Sequence, residues 1–432
     1  MKKLLVLQGP ASSRSGYGDH TRDILKSLID MDKFEIKVYD MRWGDCPRNG
    51  IEKKDEYLKK YFLTTANLGR QPDVFIQVSV PNEFNPVGKY NIGVTAGMET
   101  TAVSAPWIEG LNRMDFTIVP SEHSKQTLQA SIYDAVDSRT GQKTGQLKSS
   151  KPIEVLFEGA DMKVFNNSPK NSEELSAELS NIPEKFCFLM VGHWLSGAHL
   201  HDRKDIGGLI QTFCETFKNN PSTSRPALIL KTSSATFSVM DEIEMVKKIN
   251  KAISKCKLKN PPNVYLLHGD LTQDEMNSLY NHPKVKAHVS FTKGEGFGRP
   301  LLEASLSGKP VIASNWSGHL DFLKHSVMLP GEMKKVHKSA VWKDVIIKES
   351  QWFYVNHKYA SKVLKDVFKN YKNYLPDAKK QARFSKENFS LEAMKNKLIE
   401  IMDRSIVEEV QVKLPELDSA KINLPKLKRV EA

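Results

Sequence analysis

Four cysteines in 432 residues, Cys46, Cys187, Cys214 and Cys256, stand far apart with no C-x-x-C pair among them. That scarcity excludes a disulfide framework and a zinc finger, and leaves the four as reduced, small apolar residues. Long apolar runs are missing as well. No stretch approaches the ~20 residues that cross a bilayer, so no transmembrane segment is expected. The apolar core of MKKLLVLQGP is too short for a signal peptide, which places the chain in the cytoplasm as an expectation. The sequence has no arginine-rich block and no recognised RNA-binding sequence, which argues against a dedicated nucleic-acid module. Negative charge is the last shortage, with 51 Asp and Glu against 63 Lys and Arg, a net of +12. Such a surplus serves solubility or draws a chain toward polyanions: nucleic acid, an anionic membrane touched peripherally, or an acidic glycan.

What is present fits a globular α/β protein. Hydrophobic residues make up 40% and charged residues 26%, and the length suits two domains. Residues 2–8 read as a strand, followed by a polar glycine-containing loop and a helix over Asp19 to Ile29. Further strands are expected at Phe34–Tyr39, Val74–Val78, Tyr90–Val94, Phe116–Val119 and Ile153–Leu156. A polar stretch from Tyr133 to Lys151 reads as an exposed loop or hairpin insertion. Residues 167–184 shift to Ser, Asn and Glu, as a linker does. A second α/β pattern follows, with strands at Phe186–Val191, Ala227–Lys231, Val264–His268, Ala287–Phe291 and Pro310–Ala313. A Lys-rich helical stretch runs from Phe353 to about Met402, and two L-P-x-L units mark an extended tail from 406 to 432.

The densest signal is KGEGFGRPLLEASLSGKPVIASNWSGHLD, Lys293 to Asp321. Glu295-Gly296-Phe297-Gly298 reads as a loop leaving a strand, Pro300 suits a first helical turn, and Leu301 to Ser307 continues it. Backbone amides in such a loop favour an anion or sugar hydroxyls, and Glu295 and Glu303, eight residues apart, can accept hydrogen bonds from hydroxyls. Polar chemistry at the carboxyl end of a strand is where parallel sheets bind ligands. In the first half, Ser15-Gly16-Tyr17-Gly18 is a loop whose glycines let the backbone approach a phosphate. Lys231 ends a strand as a further basic candidate. Asp30-Met31-Asp32 falls where the first helix ends, and Ser121, Glu122 and Ser124 read as a helix cap.

GEGFGRPLLEASLSGKPVIAS, VGHWLSGAHLHDRKDIGGLIQTF, PIEVLFEGADMKVF and LLVLQGPASSRSGYGDHTRDIL, taken in order, resemble the large E-x7-E family of retaining GT-B glycosyltransferases. That family is typified by sucrose and glycogen synthases and bacterial mannosyltransferases. The resemblance implies two facing Rossmann-like doubly wound domains with a cleft between them. Residues 1–166 would be the acceptor side, 185–354 the nucleotide-sugar side, and 355–405 helices crossing back to the first domain.

It also implies roles. Arg203 and Lys204 match the residues that neutralise the donor's diphosphate. Glu295, with the amides of Gly296, Phe297 and Gly298, would hold the donor sugar, and Glu303 the ribose. His268 to Leu271 would lie along the nucleotide base. His193 stands where many relatives carry an arginine, and Glu99 near where many carry a histidine; Glu99 is the acidic candidate on the acceptor side.

No cofactor and no metal are expected, and the His199-to-Asp202 cluster forms no closed ligand set. The expected partners are a nucleotide-diphosphate sugar and a hydroxyl acceptor on a saccharide or lipid-linked glycan, with a hydroxylated DNA base as the alternative. A catalytically silent nucleotide-sugar or polyanion-binding protein, and a GT-B epimerase or phosphorylase, are the competing classes.

Overall fold

Runs rich in Val, Ile and Leu, buried on both faces, make parallel strands rather than alternating ones. The computed structural model describes residues 2–406 apart from 66, 138, 169–171, 196 and 235. Its first half contains β1 (Lys3–Gly9), β2 (Phe34–Asp40), β3 (Val74–Val78), β4 (Tyr90–Val94), β5 (Phe116–Val119), the antiparallel hairpin β6 (Tyr133–Val136) and β7 (Lys143–Leu147), and β8 (Ile153–Val155). Six of these form one parallel sheet in the order β2-β1-β3-β4-β5-β8. Helices α1 (Gly16–Met31), α2 (Ala105–Arg113) and α3 (Glu122–Ala130) cover it.

After α4 (Glu173–Ser180) comes a second parallel sheet. Its strands are β9 (Cys187–Val191), β10 (Ala227–Lys231), β11 (Val264–Leu266), β12 (Val285–Ser290), β13 (Val311–Ser314) and β14 (Val327–Leu329), in the order β11-β10-β9-β12-β13-β14. Its helices are α5 (Ile206–Phe217), α6 (Val239–Lys255), α7 (Gln273–Asn281) and the short α8 (Arg299–Ser305). A ribbon of β15 (Gly331–Lys335) and β16 (Gln351–Val355) leads into α9 (His357–Lys369), α10 (Tyr371–Asn388) and α11 (Leu391–Ser405).

In both sheets the first strand has neighbours wound in opposite directions, so the crevice that binds ligands opens at its carboxyl end. The two halves are tied together at the far end of the chain. Met394, Leu398, Ile401 and Met402 of α11 join Ile24, Leu25 and Leu28 of α1 in one core. Ala160 pairs with the chain before α11, donating to Phe389 O and accepting from Leu391 N. Gly159 permits this approach, since a Cβ there would stand 2.7 Å from the Leu391 Cα.

Several elements differ from the sequence reading. The stretch 167–184 contains α4, whose Leu175 and Leu179 enter the second core; two leucines four residues apart outweigh the polar composition. Helix α1 starts three residues earlier, at Gly16, because Ser15 caps it by accepting from Gly18 N. Helix α8 spans only Arg299–Ser305, so its dipole is a smaller aid to an anion than a run to Ser307 would be. The strand at Val327–Leu329 is too short to announce itself. Beyond 406 the expected tail lies outside the described residues.

Candidate active site

The loops that leave β4, β5, β9, β10 and β12 converge between the two sheets. Glu295, after β12, is fixed by its own backbone: its N–H donates to Ser317 Oγ at 2.9 Å and its carbonyl accepts from Gly318 N at 3.0 Å. Its buried carboxylate takes Arg203 Nη1 at 3.0 Å and Lys204 Nζ at 2.5 Å. Arg203 also donates to Gly294 O at 3.0 Å, and its Nε lies 3.6 Å from a carboxylate oxygen of Glu99, which the first half supplies. Four residues singled out by the sequence, Glu99, Arg203, Lys204 and Glu295, therefore form one cluster spanning both halves.

The electrostatics of this cluster are uneven. Burial pushes the Glu295 carboxyl up, but Lys204 and Arg203 together outweigh it and bring it down to about 2. Burial lifts Glu99 above the usual carboxylate value, with Arg203 opposing it. Lys204 is lowered by burial, with Glu295 pulling the other way. His193, hydrogen-bonded to Ser233 Oγ at 3.2 Å, is brought down to about 4 by burial and then by Lys204, so it is neutral at ordinary pH. Two cations leaning on one fully ionised carboxylate can be shared with an incoming anion, because charged donors gain most from an oxyanion in a dry site.

Close approach of the two halves depends on missing side chains. A Cβ on Gly296 would stand 1.8 Å from Ala96 O, and one on Gly294 would stand 2.1 Å from Glu99 O. Ser121 caps α3 and also donates to Gly296 O at 2.6 Å. Asp321 accepts from Glu122 N at 2.9 Å, and His123 packs edge-on against Trp316 with ring centroids 4.7 Å apart. Tyr17 anchors the Glu99 loop: its hydroxyl accepts from Ala96 N at 3.1 Å and Gly97 N at 3.0 Å.

Other sequence candidates lie around the cluster with different surroundings. The Phe297 side chain belongs to the second core, beside Phe322 and Phe389, so only its backbone can meet a ligand. The amides of Gly296, Phe297 and Gly298 donate to no acceptor among the described residues. Gly18 spends its amide on Ser15, and a Cβ there would stand 2.1 Å from Ser13 O; packing rather than phosphate approach explains it. Gly16 faces open space.

Lys231 donates to Gly269 O at 2.6 Å and is brought down to about 8, by burial, against the pull of Asp270. His268 Nε2 pairs with Asp241 Oδ2 at 2.8 Å, and Leu271 packs on the second core. A cavity of about 310 Å³ lined by Lys324, His325, Tyr374 and Asp377 lies at the amino ends of β13 and β14, away from the cluster.

Sequence reasoning missed a second cluster. Arg299, buried at the start of α8, donates to Asp23 Oδ2 of α1 at 2.6 Å and to Glu303 Oε1 at 3.1 Å. Glu303 also accepts from Tyr280 OH at 3.2 Å. Burial carries Glu303 up to about 7 despite Arg299, and carries the nearby Glu158 up to about 8. His20, with both ring nitrogens buried and unpartnered among the described residues, is brought down to about 3 by burial and by Arg299. A signal was available: Asp23 and His20 sit three residues apart on the apolar side of α1, where a charge needs a partner. A third group was also missed. Lys293, fully buried, pairs with Asp205 at 3.2 Å and donates to Asp202 O at 2.7 Å, stitching the Arg203 loop to the Glu295 loop.

Residues 198–348 match the family model described as Glycosyl transferases group 1. The chain has the fold of a glycosyltransferase from Rickettsia africae ESF-5, at 13% identity and TM-score 0.60, covering 94% of this chain and 98% of that one. It is similar to sucrose-phosphate synthase from Thermosynechococcus elongatus at 13% identity and TM-score 0.60, over 93% and 99% of the two chains. It is also similar to HepE from Anabaena in complex with UDP and glucose, at 14% identity and TM-score 0.56, over 93% and 100%. No curated protein matches the sequence. At this identity the structures establish the fold, which is GT-B. Fold and matched segment together support a glycosyltransferase of that architecture. The segment holds Arg203, Lys204, Glu295 and Glu303, whereas Glu99, Gly16 and Gly18 lie outside it.

Proposed function

We propose that the chain is a retaining glycosyltransferase that moves a sugar from a nucleotide-diphosphate sugar to a hydroxyl of a saccharide or lipid-linked glycan. The observation that carries this reading is the Glu99–Arg203–Lys204–Glu295 cluster, closed from both halves at the carboxyl ends of their sheets. In the reaction the leaving group is a nucleoside diphosphate, whose growing negative charge is the main obstacle. Arg203 and Lys204 would transfer part of their pairing from Glu295 to the diphosphate oxygens and stabilise that charge as the glycosidic bond breaks. Glu295, ionised and fixed through Ser317 and Gly318, would accept hydrogen bonds from the donor sugar's hydroxyls and orient it. The departing phosphate would take the acceptor's proton while that hydroxyl oxygen bonds to the anomeric carbon from the phosphate's own face, so the anomeric configuration is kept with no protein carboxylate as nucleophile.

No metal is required in this scheme, because the two cations supply the positive charge. The ribose assignment of Glu303 needs its carboxyl to serve a ligand while it holds Arg299. His268 to Leu271 would face the nucleotide base. HepE and its bound UDP make UDP the first nucleotide to test. The net charge of +12 keeps a hydroxylated base in DNA as a second acceptor reading.

The test is a panel of radiolabelled nucleotide sugars offered with glycan extracts, lipid extracts and hydroxymethylated DNA, with and without EDTA. Transfer to a glycan or lipid fraction that persists in EDTA and keeps the donor's anomeric form supports the reading. Incorporation into DNA alone replaces the acceptor, loss of turnover in EDTA restored by a divalent ion replaces the metal-free scheme, and binding without transfer favours a silent protein.

A further inference from the structure

Between β15 and β16 the chain leaves the ribbon for fifteen residues and carries an exposed tryptophan beside the point where it meets the first half. The excursion is held firmly. Val336, Ala340 and the fully buried Trp352 make a small core with Ile346, Trp316 and Tyr354 against it. Ala198 N donates to Ser339 Oγ at 2.8 Å, and the rings of His201 and His337 stack at 3.9 Å. Trp342 itself is fixed at both backbone groups, donating to Ile346 O at 3.0 Å and accepting from Ile346 N at 2.8 Å. Its side chain is nevertheless exposed, and the residue is 58% accessible where Trp352 and Trp107 are 0%. An indole carried into solvent on a fixed backbone has no packing reason to be there, and an aromatic side chain loses little entropy when it binds, having few rotatable bonds.

The excursion is tied to the segment that bears Glu99. Ser104 Oγ donates to Asp344 O at 3.0 Å, Thr101 N to Gln351 O at 3.0 Å, and Gln351 N to Thr101 Oγ1 at 2.9 Å. Ser104 is five positions after Glu99, so the two lie within ~17 Å of each other along even a fully extended chain. The charge around Trp342 is positive. Lys334 pairs with Glu332 and Lys348 with Glu349, while Lys335, Lys338 and Lys343, against the one carboxylate Asp344, make no ion pair among the described residues. A single exposed aromatic with lysines fits one apolar sugar face and scattered acidic groups. A nucleic-acid strand calls instead for successive stacking platforms, and base readout for arginine forks.

We infer that Trp342, with Lys338 and Lys343, is an outer acceptor subsite that takes a sugar ring of an elongated, anionic saccharide whose reacting hydroxyl lies near Glu99. This rests on the glycosyltransferase reading and specifies its acceptor. The test is calorimetric titration of the full chain with hexagalacturonate, neutral maltohexaose and a thymidylate hexamer, at low and high salt. Hexagalacturonate should bind more tightly than maltohexaose, and its affinity should fall as salt rises. Trp342→Ala should weaken it about tenfold, while Trp342→Phe, which keeps a ring face, should retain most of it. Lys338→Ser combined with Lys343→Ser should remove the salt dependence. UDP is titrated into the same samples: absent UDP binding contradicts the donor reading and leaves the subsite standing. Hexagalacturonate binding that ignores Trp342, or a thymidylate hexamer that displaces it, overturns the subsite.

Discussion

Two ionic clusters flank the start of α8, and they are set in opposite ways. Around Glu295, two cations from one loop outweigh burial and hold the carboxylate ionised, at about 2. Around Arg299, one guanidinium faces Asp23, Glu303 and the nearby Glu158, and burial wins for two carboxyls, carried to about 7 and about 8. The first has cationic capacity that an anion can use. The second has surplus carboxyl and a cation already committed across the two halves, which is what a structural tie needs. Arginine and carboxylates thus give both a candidate reaction centre and a clasp, and the ratio of cations to carboxylates in a dry space decides which.

That contrast can be broken at Arg299 first. Arg299→Ala leaves Asp23 and Glu303 buried without their cation, and should cost about 3–5 kcal/mol of stability, read from denaturant melts. A loss within ~0.5 kcal/mol would mean that the clasp holds nothing. Glu295→Gln is close to isosteric and should lower turnover by roughly 2–4 kcal/mol in transition-state stabilisation while the fold stays intact. Turnover near that of the wild type would remove Glu295 from sugar positioning. Lys204→Ala should weaken nucleoside diphosphate binding by about 1.5–3 kcal/mol, the range of a hydrogen bond to a charged group. Unchanged affinity would show that the cations serve only Glu295.

A further contrast concerns pH. In the fold Glu158 keeps its proton to about 8, against an ordinary value of 4.5. Its contribution to stability is therefore full below about 4.5 and is lost as pH rises through about 8. Glu158→Gln mimics the protonated form, so it should melt near the wild type at pH 5 and roughly 5 °C above it at pH 9. Equal melting temperatures at both values would place the Glu158 carboxyl in an ordinary, ionised state.

The first cluster was legible in the sequence and the second was not, for a physical reason. Glu295 sits where a strand run gives way to a glycine-bearing loop, and that pattern is local, while Arg203, Lys204 and Glu99 were reached through the family resemblance. Arg299 and Asp23 are 276 positions apart, and nothing near either residue names the other. Glu303 was read as a free acceptor because its spacing from Glu295 is visible, whereas its bonds to Arg299 and Tyr280 are made by folding. For Phe297 the loop position was legible, but the direction of its ring, set by Phe322 and Phe389, was not, which leaves only the expected backbone amide to face a ligand. At the level of fold, strands rich in Val, Ile and Leu read clearly. The helix α4 did not, since its two buried leucines stand among polar residues.

The central claim is that Arg203 and Lys204 are shared between Glu295 and an incoming diphosphate. Titrating a nucleoside diphosphate into the wild type, Lys204→Ala and Glu295→Gln by calorimetry tests it most directly. The account predicts binding by the wild type, weaker binding by Lys204→Ala, and binding by Glu295→Gln that is at least as tight as the wild type's, since a competing negative charge has gone. Weaker binding by Glu295→Gln together with unchanged binding by Lys204→Ala would contradict it.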